Sequence, residues 1–298
     1  IVNGMAMSND ANMQVSNPAL GQTDSYASAG KGIDLRSISA SGIESVEVVT
    51  GVASAKYGNL ASGAIIVKNK VGSLPFSVSG NVSSTSYQGS VSKGFNLGEK
   101  GGILNTDFSY TYSKDSPIQR KNYYQNVNFG VRWMKKLSKK LEWNNTIALQ
   151  SFMGFNGQRH EPEEKGTNIA KVNNQNVSLN IFGSMSLGKA GDLDYSINGS
   201  IDNQYSRYKT VASGPLPLIE ALKTGTYITN YSAMAFYQEQ IMKGLPVSTA
   251  ADISLTKNLM AGNWSFSFMT GAQGSIDKNF GKGRTIAGGA VQTSGGIG

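Results

Sequence analysis

The feature that most constrains this chain is a two-residue alternation that recurs, segment after segment, from Phe76 onward. Across residues 103–113, Leu104, Phe108, Tyr110 and Tyr112 hold one set of alternate positions, and Asn105, Asp107, Ser109, Thr111 and Ser113 hold the other. Successive side chains of an extended chain point to opposite faces, so this spacing makes a strand with one apolar and one polar face. The division returns as Val127, Phe129, Val131 and Trp133 against Asn126, Asn128 and Arg132. It returns again as Val177, Leu179, Ile181, Met185 and Leu187 against Asn176, Ser178, Asn180, Ser184 and Ser186. Leu193, Tyr195, Ile197 and Ile201 oppose Asp194, Ser196, Asn198, Ser200 and Asp202, and Val247, Ile253 and Leu255 oppose Ser248, Asp252 and Ser254. Segments near 76–84, 86–95, 103–114, 124–134, 141–152, 174–187, 193–207, 247–257 and 263–276 give about nine strands. Their lengths suit the roughly 9 to 11 residues of a tilted membrane strand.

The connections alternate as well. Residues 97–102, 135–140, 188–192 and 258–262 form short links, whereas 115–123, 154–173 and 208–246 are long. Short turns at one rim and long loops at the other describe an outer-membrane β-barrel. Trp133, Trp143 and Trp264 all lie beside short links, where one aromatic girdle would sit; Tyr110, Tyr112, Tyr123, Tyr124, Tyr205 and Tyr208 gather toward the long loops. Within the longest loop, residues 219–222 and 234–242 are expected to form short helices over the mouth.

Alternation alone also fits a secreted β-sandwich or solenoid, because any half-buried sheet alternates. Loop lengths and tryptophan placement favour the barrel, since a sandwich has no reason to keep its tryptophans at one rim. No run approaches the roughly 18 apolar residues of a spanning helix, so a membrane-spanning form must be a closed barrel. Only 15% of residues are charged, and abundant Gly with scarce Pro suits strands and tight turns. Net charge is +8, but the cations are scattered or sit in turn clusters such as Lys135, Lys136, Lys139 and Lys140, unlike a nucleic-acid footprint. The lack of cysteine removes disulfide frameworks, Cys-based zinc sites and thiol nucleophiles.

Residues 1–72 read as a separate small α+β piece and 73–298 as the barrel strands. The compact patch from Ile43 to Lys70 is βαβ-like: Ile43 to Val49 alternates as a strand, Thr50-Gly51 breaks it, Ala53 to Tyr57 suits one helical turn, and Ala64 to Lys68 returns as a strand.

The stretch Ile43-Glu44-Ser45-Val46-Glu47-Val48-Val49-Thr50-Gly51-Val52-Ala53-Ser54-Ala55-Lys56-Tyr57-Gly58, followed by Ser62-Gly63-Ala64-Ile65-Ile66-Val67, resembles the end of the plug domain of TonB-dependent outer-membrane receptors. The Asn-rich strands and the Lys68-Asn69-Lys70 exit resemble the Bacteroidetes type, including its SusC-like branch. The resemblance implies the C-terminal part of a plug followed by the N-terminal strands of a barrel of about 22 strands. It implies residence in the bacterial outer membrane among its lipids, and active uptake of a nutrient, siderophore, glycan or peptide driven by the TonB-ExbB-ExbD complex. It also implies a SusD-like lipoprotein as a further partner.

An odd, unclosed set of strands leaves an edge that hydrocarbon does not tolerate, and neither a signal peptide nor a TonB box is visible, so the chain is expected to be part of a longer protein. In the motif, Gly51, Gly58 and Gly63 are expected to permit tight turns. Glu44 and Glu47, taken as sharing one strand face, are expected to pair with a basic residue of the wall such as Arg132, with Tyr57 packing nearby.

Sites for chemistry are sparse. His160 is the only histidine, in a loop with Arg159, Glu161, Glu163 and Glu164; Arg159, His160 and Glu161 are expected to face ligand from a hydrated external loop. Residues 281–289 lack the Gly-Lys-Ser/Thr ending of a phosphate loop and read as another external loop. No nucleophile elbow or ordered triad is evident, so neither an enzyme nor a metal or cofactor site is expected. The alternatives are a surface adhesin binding through Gly/Asn/Tyr-rich loops, and a secreted hydrolase on a β scaffold.

Overall fold

A computed structural model describes residues 42–51, 63–114, 122–158, 169–213, 235–262 and 264–290. The protein is all-β and antiparallel. β1 (Ile43–Thr50) and β2 (Gly63–Asn69) form a two-stranded sheet. The two strands pair directly with one another, from Thr50 opposite Gly63 to Ile43 opposite Asn69. The two strands expected here are present as direct antiparallel neighbours, which need no crossover; the helical turn expected at Ala53 to Tyr57 lies outside the described residues.

The second sheet is a meander. It runs β3 (Ser77–Val82), β4 (Ser86–Asn96), β5 (Ile103–Lys114), β6 (Asn122–Ser138), β7 (Trp143–Gln158), β8 (Ile169–Ser186) and β9 (Asp192–Ser213), each paired with the next. β10 (Ala235–Gly244) and β11 (Pro246–Ala261) both pair with β9; β12 (Trp264–Asn279) pairs with β11, and β13 (Gly283–Ala290) with β10.

Register shows that β10 and β11 are one strand. Gly244 lies opposite Gln204 and Val247 opposite Ile201, so the pairing with β9 continues across Leu245 without a slip. β12 and β13 are likewise one strand with an extra residue at the break, since Pro246 faces Asn279 while Lys243 faces Gly283. Two residues oppose three there, which is a β-bulge. Among the described residues the meander therefore holds nine continuous strands, the number expected from the alternation.

Two expectations fail at this break. Residues 234–242 were expected to be helical, but Ala235–Gly244 is a strand; residues 281–289 were expected to be a loop, but Gly283–Ala290 is its partner. Residues 219–222 lie outside the described residues. Strand ends also reach further than the apolar pattern, β9 running to Ser213. Past Ile201 the apolar face turns to Asn203, Tyr205, Arg207 and Lys209, so the amphipathic signal stops while the hydrogen-bonded ladder continues.

Short links are built as compact turns. α1 (Gly98–Gly101) joins β4 to β5, closed by Leu97 N–H donating to Gly102 O at 2.9 Å. A 3-10 turn (Gly188–Ala190) joins β8 to β9. One link at the opposite rim is also tight: Ser83 Oγ accepts from the Ser86 N–H at 2.9 Å between β3 and β4, an exception to the alternating loop lengths.

The two faces of the large sheet are inverted relative to a soluble protein. Asn105, Asp107, Asn128 and Arg132 on the polar face are each 5% exposed or less, whereas Phe108, Phe129, Leu179 and Ile201 on the apolar face are each more than 40% exposed. A half-solvated sheet in water buries its apolar face. Here the polar face is buried along the middle strands and the apolar one is open, while β3 and β12 are exposed on both faces. The described apolar cluster of buried residues, Val172, Tyr208 and Met242, sits among the polar positions of β8 to β10.

Candidate functional site

Two features give the sheet chemical character: a crossing segment tied to its polar face and an aromatic-bordered band on the other. The crossing segment leads from β2 toward β3. Asn105 on β5 donates from Nδ2 to Gly72 O at 2.7 Å and accepts the Gly72 N–H at Oδ1 at 3.2 Å. An amide side chain thereby supplies the two bonds that a neighbouring strand would make. Gly94 N–H on β4 donates to Leu74 O at 3.0 Å.

Arg132 on β6 makes the third tie. Its Nη2 lies 2.5 Å from Asp107 Oδ1 on β5, and its Nε–H donates to Lys70 O at 3.1 Å. Both side chains of the pair are buried. The fork of a guanidinium can serve a carboxylate and a carbonyl together, which an ammonium at the same place would not do with fixed geometry. Gly130, directly across from Asp107, leaves room for it: a Cβ there would stand 2.7 Å from Asp107 Oδ1.

The residues expected to carry this anchoring behave differently. Glu44 and Glu47 are both exposed, and Arg132 is engaged by Asp107 and Lys70 instead. Positions three apart in a regular strand face opposite ways, and β1 has an irregular register between Ile43 and Ser45 that places Glu44 at the disturbance. Gly51 does adopt a left-handed backbone, φ +89°, as a tight turn requires, and Gly63 opens β2 opposite Thr50. Tyr57, Gly58, Arg159, His160 and Glu161 lie outside the described residues. Asp107 was legible only as one polar-face residue among several; a lone carboxylate on a face of amides and hydroxyls is the signal that could have found it.

Further amides and hydroxyls line the polar face. Asn176 Nδ2 donates to Asp202 Oδ1 at 2.7 Å, Asn198 bonds Asn180, and Ser248 Oγ donates to Asp277 Oδ1 at 2.5 Å. Gln204, Ser206 and Gln240 are also buried there. Among the described residues no group of three or more His, Cys, Asp or Glu is placed to hold a metal ion.

The apolar face carries aromatic rings at both ends. Near the short links, Trp133 Nε1–H donates to Gly101 O at 2.7 Å, and Trp143 Nε1–H donates to Tyr195 Oη at 3.0 Å. At the other end Tyr87, Tyr112 and Tyr123 form a stacked ladder with centroids 6.3 and 6.4 Å apart. Lysines lie over these borders, Lys135 5.9 Å from the Trp133 ring and Lys114 5.6 Å from the Tyr112 ring. Trp133 and Tyr123 share one face of β6, ten positions apart. At about 3.4 Å per residue, the two borders stand roughly 34 Å apart along the strand.

No helix among the described residues is long and apolar enough to cross a membrane, which leaves β-strands as the element to consider. Comparison with family models, curated proteins and solved structures found no match to this chain.

Proposed function

We propose that this chain is part of a TonB-dependent transporter of the bacterial outer membrane. In this reading the nine-stranded meander is barrel wall, β1 and β2 are the last part of a plug, and residues 70–74 are the tether between them. Ligand binds from the side of the long connections, and the TonB-ExbB-ExbD complex pulls on the plug to open a path. A SusD-like lipoprotein is the partner that the motif resemblance suggests on the outer side.

The observation that carries the proposal is the inverted sheet, with buried Asn105, Asp107, Asn128 and Arg132 behind an exposed band of Phe108, Phe129, Leu179 and Ile201. An exposed apolar surface of this extent is costly in water and favourable in lipid. The two aromatic borders with overlying lysines support the same reading, because amphipathic rings and long cationic side chains gather where hydrocarbon meets headgroups. The tether supports the plug assignment. It fastens to three wall strands through buried polar contacts rather than through an apolar interface.

The test is fractionation of the source cells followed by uptake. The protein is expected in the outer membrane, soluble only with detergent, and uptake of its ligand is expected to stop when TonB is removed. A species of 31.6 kDa that stays monodisperse without detergent would overturn the proposal and favour a surface adhesin.

A further inference from the structure

At the short-link end, the foot of β4, β5 and β6 carries an outward patch that is apolar and cationic at once. Register lines up Phe95, Leu104 and Trp133 as one row across the three strands, and Trp133 is the border ring whose Nε1–H is tied to Gly101 O. Lys93 starts one row further into the apolar band, level with Thr106 and Val131. Its ammonium nevertheless lies over the Phe95 ring, 5.0 Å from the centroid, so the side chain runs toward the short link. Lys135, two residues past Trp133, leans back with its ammonium 5.9 Å from that ring. Two ammoniums thus converge on one row from opposite sides, and among the described residues neither makes an ion pair. Lys100, Lys136, Lys139 and Lys140 stand in or beside the two adjoining links, whose carboxylates are Glu99 and Glu142. Glu99 is held by Lys139 at 3.1 Å. Six lysines therefore meet two carboxylates, and both links are described throughout.

We infer that this foot binds an anionic phospholipid of the phosphatidylglycerol kind, its phosphate between Lys93 and Lys135 and its acyl chains along the apolar band. The inference rests on the outer-membrane reading, which turns this face toward lipid and the short links toward the inner leaflet. Charge selects an anion, because a zwitterionic headgroup brings an ammonium of its own to a place already crowded with lysines. The apolar side chains among the cations select an amphiphile. Phe95, Leu97 and Leu137 are 38%, 52% and 46% exposed, and a free phosphate or an acidic polymer would leave them in water. Level selects a phospholipid. The ammoniums meet at the row of the border ring itself, where hydrocarbon gives way to headgroups, and Lys93 reaches that row from inside the band, as a long cationic side chain does when its stem lies in an apolar medium.

The test uses the whole protein extracted from the outer membrane in mild detergent and stripped of bound lipid. Native mass spectrometry follows its titration with phosphatidylglycerol, with phosphatidylethanolamine of the same acyl chains, and with glycerol phosphate as a free headgroup. Phosphatidylglycerol is expected to bind at least about tenfold more tightly than phosphatidylethanolamine, and glycerol phosphate in excess is expected to leave that binding unchanged. Lys93→Gln combined with Lys135→Gln is expected to weaken it at least about tenfold. Lys93→Arg with Lys135→Arg should keep it, which separates lost charge from lost folding, and Lys171→Gln with Lys243→Gln at the opposite rim should change nothing. Equal binding of the two lipids, displacement by glycerol phosphate, full binding by the Lys93/Lys135 glutamine variant, or an equal loss in the opposite-rim variant would overturn the inference while leaving an outer-membrane transporter intact. A protein that fractionates as soluble would remove both.

Discussion

The Tyr195 ring on β9 lies across Gly183 of β8, its cross-strand partner, so closely that a Cβ at residue 183 would press on the Asn144 carbonyl oxygen and stand 2.6 Å from the tyrosine oxygen and 2.8 Å from Cζ. From there Tyr195 reaches β7, accepting the Trp143 Nε1–H at 3.0 Å and donating to Asn145 Oδ1 at 2.5 Å. Three strands are thus fastened at the short-link border of the apolar face by one ring laid over one missing side chain. Glycine inside a strand usually weakens it; here it makes the space for the aromatic that stitches its neighbours.

Gly183→Ala is therefore expected to destabilise the protein by about 1–3 kcal/mol through overpacking, read as a lower urea midpoint of the detergent-folded protein. Gly199→Ala serves as the internal comparison, because a Cβ there meets nothing within 4 Å. Equal effects of the two would show that residue 183 has room for a side chain beside the Asn144 carbonyl and the Tyr195 ring.

Asp107 and Arg132 yield a second expectation. Removing Asp107 leaves a buried guanidinium without its carboxylate, which costs about 3–5 kcal/mol, whereas Arg132→Lys keeps a charge for Asp107 but frees Lys70 O. Asp107→Ala should lower the unfolding midpoint more than Arg132→Lys does. Arg132→Lys should also expose the 70–74 segment to limited proteolysis, with the sheet still folded. If protease sensitivity of that segment does not change, the Nε contact does not hold it.

How far these relationships could be read in advance differs by kind. The faces of β8 were legible from Ser178 and Leu179 alone, because a period of two needs only local sequence. The Asp107–Arg132 pair was not: it depends on a register in which Asn105 faces Arg132 and Asp107 faces Gly130, and nothing near either residue encodes that. Residues 281–289 read as a loop for a related reason. Their glycines suppress the alternating signal, and the segment becomes a strand through a partner some forty residues earlier, as with Thr285 opposite Ile241. The apolar pattern ends at Ile201 although β9 runs on to Ser213, because a hydrogen-bonded ladder does not need apolar side chains to continue.

The bulge between β12 and β13 gives a third expectation. Asn279 Oδ1 accepts the N–H groups of Leu245 at 3.1 Å and Gly281 at 2.7 Å, while Pro246 has no N–H to offer the ladder. A Cβ on Gly281 would lie against Gly244 Cα at 2.5 Å and Leu245 N at 2.6 Å, and backbone atoms cannot rotate away as a flexible side chain could. Gly281→Ala should cost about 1–3 kcal/mol. Gly274→Ala on β12, where a Cβ meets nothing within 4 Å, should cost well under half of that. The comparison is made on thermal unfolding in the same detergent. A smaller effect at residue 281 than at residue 274 would mean that the bulge accepts a side chain.

The medium facing the apolar band can be decided by one residue. Ile197 is 49% exposed near the middle of the band, and Asn203 lies on the same outward face of β9 just past its edge. In water a half-exposed Ile→Lys change is nearly neutral, within about 0.5 kcal/mol either way. At mid-bilayer on the lipid face of a barrel, lysine costs about 2–4 kcal/mol, falling to about 0–1 near the interface. Ile197→Lys should therefore destabilise the protein folded into lipid vesicles by the larger amount, and Asn203→Lys by the smaller. Chemical unfolding from vesicles reads both on one scale, and only a low-dielectric medium produces the gradient, since both positions are accessible to solvent in the isolated chain. Equal, small effects at the two positions would place the band in water and leave its exposed Phe108, Phe129 and Ile201 to be covered by protein instead.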